Sequence, residues 1–427
     1  MNFIDELTWR GLIQDIMPGT KELLDKEKIA GYIGFDPTSD SLHIGSLIPI
    51  IILKHFQLAG HTPIALVGGA TGMVGDPSGK SEERNLLDEE TLAFNLKGIQ
   101  KQLEKFIDFS NNIRNKAAIV NNYDWFKGYD FLHFIRDIGK YISVNYMMSK
   151  DSVKKRLENE TGMSFTEFSY QLVQGYDFYW LYNHKNCKLQ MGGSDQWGNI
   201  TTGAALIHKK CGGEAFALTC PLITKADGGK FGKTEKGNIW LDANKTTPYQ
   251  FYQFWLNSSD EDAIQWIKKF TFLDKITIES LIDAHLLKKE DRILQKKLAE
   301  ETTIFVHGEE ALKSAIQTAA ILFGNDTYDI LQKVTESQLL QAFEGVPTYY
   351  IPAQQVTLPY SLIDLLVEAS IFPSKGEARK MIQSGGVSIN KHKIGEDKKT
   401  IEKTDFLKEK ILIIQKGKKN YFLIIIN

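Results

Sequence analysis

Residues 31–46 read GYIGFDPTSDSLHIGS. The stretch completes a short apolar strand, 29–35, and turns through Asp36-Pro37-Thr38. It then delivers His43-Ile44-Gly45-Ser46 to the head of an apolar run, 47–53, that reads as a buried helix. A helix start offers unpaired backbone N–H groups and the positive end of the helix dipole. A strand that ends in Gly, Asp and Thr and hands His and Gly to such a start is therefore suited to an anion. Glycine also lets a ligand come close to the backbone.

Working outward, the same arrangement recurs. Residues 63–67, PIALV, form a continuous apolar run, as expected of a strand buried on both faces, and open into GGATGMVGDPSGK, 68–80. That loop is neither a Walker A motif nor GxGxxG. A short apolar strand at 117–120 ends in Asn121-Asn122. Residues 188–191 form another, followed by GGSDQWGN, 192–199, and a helix over 200–209. Strand, Gly-rich turn and helix in alternation predict an α/β domain around a parallel sheet. Ligands of such sheets bind at the carboxyl ends of the strands, near a topological switch point. The strand ends at 34–38, 68–76, Asn122 and 190–195 are expected to share one crevice.

Between these strands the pattern is helical over 91–109, 129–139, 144–158 and 164–182. In the last of these, Tyr170, Gln174 and Asp177 stand at i, i+4 and i+7 and so share a face. Phe165, Phe168, Phe178 and Trp180 border that face. A solvent face would carry Lys and Glu, so this polar stripe predicts an inward pocket. Apolar residues 215–224 run into a Gly-rich loop bearing Lys230-Phe231-Gly232-Lys233-Thr234. Two lysines three apart on such a loop suit a mobile phosphate contact, and a solvated turn is the plain alternative. Residues 2–30 read as helix with one turn at 17–19. Residues 248–323 read as all-helical and 324–359 as a connector. The tail reads as a helix over 362–369, a second one capped by Pro373-Ser374 that carries Lys375, Arg379 and Lys380, a strand at 387–389 and a final strand at 421–426.

A chain of 427 residues exceeds one ordinary core and predicts two to four domains. Mean hydropathy is −0.25, and no apolar run approaches the roughly 18 residues of a membrane span. The opening residues, MNFIDELTWRG, lack the layout of an export signal, so a cytoplasmic protein is expected. Cys187, Cys211 and Cys220 fit no metal or disulfide spacing and read as buried free thiols. Net charge is −2, yet residues 360–427 hold 13 Lys and Arg against 8 Asp and Glu. A basic tail on an acidic body suggests a polyanionic partner for the tail.

Taken together, the motifs resemble those of the bacterial tyrosyl-tRNA synthetases, members of the class I aminoacyl-tRNA synthetases, over essentially the whole chain. His43-Ile44-Gly45-Ser46 matches the His-Ile-Gly-His motif, with Ser46 replacing the second histidine. Residues 230–234 match the Lys-Met-Ser-Lys-Ser loop in its tyrosyl form, and 65–79, 170–177 and 192–199 match further family runs. The resemblance implies a Rossmann-like parallel-sheet catalytic domain at 1–224, with an inserted helical dimerisation segment near 122–165. A lysine-loop and helical anticodon-binding domain at 225–323, a linker at 324–355 and a small α+β S4-like RNA-binding domain at 356–427 would follow. It also implies a reaction in which tyrosine and ATP give tyrosyl-adenylate and pyrophosphate, and the tyrosyl group then passes to tRNA(Tyr). That chemistry requires no protein nucleophile, and no editing insertion is apparent.

The site residues carry over by matching positions. Thr38 and His43, with Lys80, Arg84, Lys230 and Lys233, would act on the phosphates and transition state. Tyr32 and Asp177 would read the phenol hydroxyl, with Asp36, Asp76, Asn122, Tyr170, Gln174 and Gln196 around the rest of the amino acid. Gly34, Gly45, Ser46, Gly193, Asp195 and Thr234 would complete the ATP site. Mg2+ would arrive with ATP, without a dedicated protein cage. Lys375, Arg379 and Lys380 would meet RNA, and the chain would act as a homodimer without membrane attachment. Two rivals share the scaffold. A tryptophan–tRNA ligase would not need the paired hydroxyl readers, and a non-catalytic RNA-binding relative would not need the lysine loop.

Overall fold

The computed structural model describes residues 2–78, 87–158, 162–234, 237–323, 331–343, 346–355, 359–395, 399–417 and 420–427. The chain divides into two compact units. One comprises residues 1–246 and 253–306, the other residues 247–252 and 307–427.

The first unit is built on a six-stranded sheet: β1 (Asp15–Ile16), β2 (Ala30–Phe35), β3 (Thr62–Val67), β4 (Ala118–Asn121), β5 (Cys187–Gly193) and β6 (Phe216–Cys220). Their spatial order is β1-β6-β5-β2-β3-β4. All neighbours are parallel except β1, which runs antiparallel to β6. β2 lies at the centre and is buried except at Gly34. Helices cover both faces of the sheet. On one face, the helix Leu47–Leu58 presses Phe56 against Gly31, where a Cβ would lie only 2.8 Å from the ring, so the close approach requires glycine. On the other, Tyr32 packs edge-to-face on Phe178 of the helix Phe165–Lys185, with ring centroids 5.5 Å apart. The apolar run at 47–53 is a buried helix because Ile50, Ile51, Ile52 and Leu53 are all excluded from solvent.

The helices Asp260–Phe270, Lys275–Leu287 and Ile293–His307 extend this unit. Arg10 ties the N-terminal helix to them. Its buried guanidinium donates to the carbonyls of Lys268, Thr271 and Leu273, each at 2.7 Å. The second unit holds a five-stranded sheet. It contains the strands Val387–Ile389, His392–Lys393, Ile411–Lys416 and Asn420–Ile426, with Thr348–Ile351 parallel to the last of them. Leu362, Leu366, Ile382, Val387, Leu412 and Ile424 form its core.

Several sequence expectations change. Residues 2–30 are not simply helical, because Asp15–Ile16 pairs with Leu218 and Thr219 at the sheet edge. The helix expected over 144–158 is two, Val144–Met148 and Asp151–Glu158. The stretch expected to connect domains at 324–359 contains a helix, Glu336–Ala342, and the strand Thr348–Ile351 that completes the tail's sheet. Among the cysteines, Cys187 and Cys220 are buried but Cys211 is exposed. No helix among the described residues is long and apolar enough to cross a membrane.

Candidate active site

The strand order places the topological switch between β2 and β5, since the chain builds outward from β2 through β3 and β4 and then resumes on the other side. A cavity of 630 Å3 opens at the carboxyl ends of these two strands, within the roughly 300–1,000 Å3 typical of small-molecule sites. Its wall includes Tyr32, Gly34, Asp36, Thr38, His43, Gly45, Ser46, Asp76, Tyr170, Gln174, Asp177, Gly193, Asp195, Gln196, Lys230 and Lys233. Residues separated by up to two hundred positions in sequence thus meet around one space.

The inner end is polar and buried. Tyr32 and Gln190 are register partners on adjacent strands. Tyr32 Oη and Gln190 Oε1 are buried without a partner, as is Gln174 Oε1. Orphaned buried polar atoms are costly, and three of them lining one cavity mark a place where a ligand supplies the missing bonds. Burial, then the nearby Asp177, hold the Tyr32 hydroxyl protonated. Asp177 is 1% exposed. Its carboxyl accepts from Trp125 Nε1 at 2.9 Å and from Asn122 Nδ2 at 3.0 Å. Burial pushes this carboxyl up to about 8, against the two N–H donors, which favour its charged form.

The middle of the cavity is a carboxylate network. Asp36 accepts from Thr71 Oγ1 at 2.7 Å and from Tyr170 Oη at 2.8 Å. Asp76 accepts from Gln196 Nε2 at 2.7 Å and from the Ser78 backbone at 2.9 Å. Two fixed carboxylates on one wall are suited to a cationic group, such as an ammonium.

The outer end is cationic, but the backbone N–H groups of Ile44, Gly45 and Ser46, expected to face an anion, are taken up within the fold by Ile239 O, His43 Nδ1 and His43 O. His43 caps a single 3-10 turn, Ile44–Ser46, that leads into the helix Leu47–Leu58. Its Nδ1 accepts from the Gly45 N–H at 3.0 Å, which leaves the proton on Nε2 as a donor. Lys230 and Lys233 stand exposed on the cavity rim. Between them, Phe231 is anchored among rings, with centroids 5.0 Å from Trp266 and 5.2 Å from Phe270. Gly232 has φ +75°, and a Cβ there would lie 2.3 Å from Ile44 Cγ2. The Ile239 N–H donates to its carbonyl at 3.0 Å, and Ile44 N donates to Ile239 O at 2.8 Å. The lysine loop and the histidine motif are therefore laced together.

Some expected residues stand elsewhere. Asn122 is fully buried behind the wall, where it bonds Asp177, Thr71 and the Ala70 N–H, so it braces the cavity without lining it. Lys80, Arg84 and the Thr234 side chain lie outside the described residues. Lys375, Arg379 and Lys380 belong to the second unit, where all three are exposed and Lys375 pairs with Asp364 at 2.6 Å. Thr71, Gln190 and Trp125 were not singled out by sequence. A lone Gln in a buried strand was a usable signal for Gln190, whereas nothing local marked Trp125.

Comparison with known proteins adds a second line of observation. Residues 24–324 match the family described as tRNA synthetases class I (W and Y), and 338–424 match the Tyrosine--tRNA ligase SYY-like C-terminal domain. The chain is 60% identical to a protein of Bacteroides fragilis named Tyrosine--tRNA ligase, covering all of both chains. It is 59% identical, at the same coverage, to one so named from Bacteroides thetaiotaomicron. Among solved structures, a C-terminally truncated mitochondrial tyrosyl-tRNA synthetase from Aspergillus nidulans matches with TM-score 0.67 and 29% identity. The match covers 75% of this chain and 94% of that one. A tryptophanyl-tRNA synthetase from Encephalitozoon cuniculi shares the fold at TM-score 0.52 and 16% identity, covering 79% and 90%.

Proposed function

The chain belongs to the class I tRNA synthetases of the tryptophan and tyrosine type, and from that premise we propose that it is a tyrosine–tRNA ligase working in the cytoplasm. It joins tyrosine to ATP as tyrosyl-adenylate and then passes the tyrosyl group to the 3′ end of tRNA(Tyr). The observation that carries the choice of amino acid is the buried polar inner end. Tyr32 Oη is orphaned there, in the same pocket as the buried carboxyl of Asp177. A phenol hydroxyl both donates and accepts, so it can pair with the orphaned Tyr32 Oη and with Asp177 together, whereas a phenyl ring offers neither function and an indole only a donor.

The rest of the cavity follows from that orientation. The ammonium group of tyrosine falls to Asp76, Tyr170 and Gln174, with Gln196 holding Asp76. The carboxylate then faces outward, toward the α-phosphate of ATP. Its oxygen attacks phosphorus in line, the bond to the β-phosphate breaks, and pyrophosphate leaves. No side chain forms a covalent bond. Catalysis comes from positioning and from charge stabilisation.

Neutral His43 donates from Nε2 to a phosphate oxygen, with Thr38 and the Gly45 turn beside it. Ser46, which replaces a histidine of the family motif, donates a hydroxyl and never a positive charge. Lys230 and Lys233, joined by Lys80 and Arg84, neutralise the departing pyrophosphate. Mg2+ enters bound to ATP as part of the substrate. Asp195 and Gly193 take the ribose, and Gly34 leaves room on the floor. In the second step a terminal ribose hydroxyl of tRNA attacks the tyrosyl carbonyl and AMP departs.

The tail, with Lys375, Arg379 and Lys380, is read as an S4-type RNA-binding domain. A homodimer is supported by the apolar surface of the inserted segment, where Phe131, Leu132 and Val144 are 63%, 76% and 59% exposed. The reading is tested by incubating purified protein with labelled tyrosine, Mg-ATP and tRNA. Acid-stable label on tRNA is expected, and its absence alongside intact tRNA binding would favour the non-catalytic rival.

A further inference from the structure

The helix Phe165–Lys185 brings Tyr170, Gln174 and Asp177 to the cavity. The start of this helix is held by an ion pair. Arg156, on the helix Asp151–Glu158, grips Glu167 through two parallel bonds, Nη1 to Oε1 at 3.1 Å and Nη2 to Oε2 at 2.9 Å. Its Nε donates to the Gly162 carbonyl at 3.1 Å. The two side chains are only 6% and 2% exposed.

A buried ion pair is a poor way to gain stability, since apolar residues of the same volume commonly serve as well or better. A bidentate guanidinium–carboxylate pair supplies direction instead, fixing both the distance and the plane of its partners. Glu167 stands three residues before Tyr170, one helical turn along the same side. Tyr170 in turn meets a narrow target, its hydroxyl donating to Asp36 at 2.8 Å. A small slide or rotation of the helix start would break that bond, while distant ATP contacts would be untouched.

We propose that Arg156 and Glu167 are positioning residues for amino-acid binding. By fixing the start of the helix, they hold Tyr170 against Asp36 and Gln174 in the cavity wall, and so tune affinity for the ammonium end of the amino acid. This rests on the reading that the inner cavity takes tyrosine. Arg156 belongs to the inserted helical segment and Glu167 to the helix that follows it, and neither side chain is among the residues lining the cavity.

The test uses the full-length enzyme in pyrophosphate exchange, with tyrosine and ATP varied separately. Glu167→Gln, which keeps shape and loses charge, is expected to raise the KM for tyrosine about tenfold, with the KM for ATP changing less than about twofold. Arg156→Lys, which keeps charge and loses the two-pronged grip, should act in the same direction. The double exchange of Arg156→Glu with Glu167→Arg should recover part of the loss. If Glu167→Gln fails to fold, Arg156→Lys decides by the same split. An unchanged KM for tyrosine, or equal rises for tyrosine and ATP, would overturn the proposal. Tyr170→Phe separates the two failures. If it too leaves the KM for tyrosine unchanged, the reading of the cavity is at fault; if it raises that KM while the pair variants do not, only the positioning role fails.

Discussion

At the scale of single residues, the site combines groups that sequence could nominate with groups it could not. His43 stands in a strand–turn–helix stretch that by itself pointed to an anion, whereas Tyr32 took its role from the family resemblance and the Lys230 loop also read as a solvated turn. Trp125 stands in no motif, and Asn122, expected at a strand end to touch the amino acid, braces Asp177 from behind instead; a supporting contact of that kind is visible only once it is made. Both donate to Asp177, whose titration yields a measurable slope. The folded carboxyl titrates at about 8 against an ordinary 3.8, so the folded state holds the proton more tightly. The stability tied to this group is full below about pH 4 and is lost as pH rises toward about 8. Asp177→Asn is neutral throughout, so the Tm of the parent should fall relative to the variant between about pH 5 and pH 8. Parallel curves would mean that Asp177 is already charged in the folded, unliganded protein. Tyr32→Phe removes a hydroxyl reader. A drop of about tenfold in kcat/KM for tyrosine is expected, with narrowed discrimination against phenylalanine.

At the scale of elements, strand–turn–helix alternation made the parallel sheet legible, since strands buried on both faces read as unbroken apolar runs. The two-residue strand Asp15–Ile16 is too short to carry a period of its own and exists only through its pairing with β6. The division of 144–158 into two helices escaped for a similar reason, as nothing in that stretch is a Pro or Gly breaker. The lysine loop is the element whose geometry constrains most. Gly232 combines a left-handed backbone with contact against Ile44. Gly232→Ala therefore strains the backbone by roughly 1–2 kcal/mol and pushes the loop off the histidine motif. Pyrophosphate exchange should fall at least about tenfold while equilibrium binding of tyrosine is kept. Lys233→Ala should likewise lower kcat without changing the KM for tyrosine, as expected of a contact made mainly in the transition state. Loss of tyrosine binding in either variant would mean that the loop shapes the inner cavity as well.

At the scale of the whole molecule, charge asymmetry pointed to a polyanion at the tail, but the limits of the tail were not legible. The strand Thr348–Ile351 pairs with the last strand of the chain, across more than seventy residues, and only that pairing shows it belongs to the tail's sheet. Reversing the charges of Lys375, Arg379 and Lys380 together should raise the KM for tRNA and flatten the salt dependence of charging, while leaving pyrophosphate exchange unchanged. Equal charging by that variant would reduce the basic surface to a solvated face. The central claim concerns which amino acid the cavity accepts, because the fold alone is shared by tyrosine and tryptophan enzymes. The most direct measurement is ATP–pyrophosphate exchange by the purified protein with tyrosine, tryptophan or phenylalanine supplied in turn. Exchange with tyrosine alone is predicted. Exchange with tryptophan but not tyrosine would contradict the account.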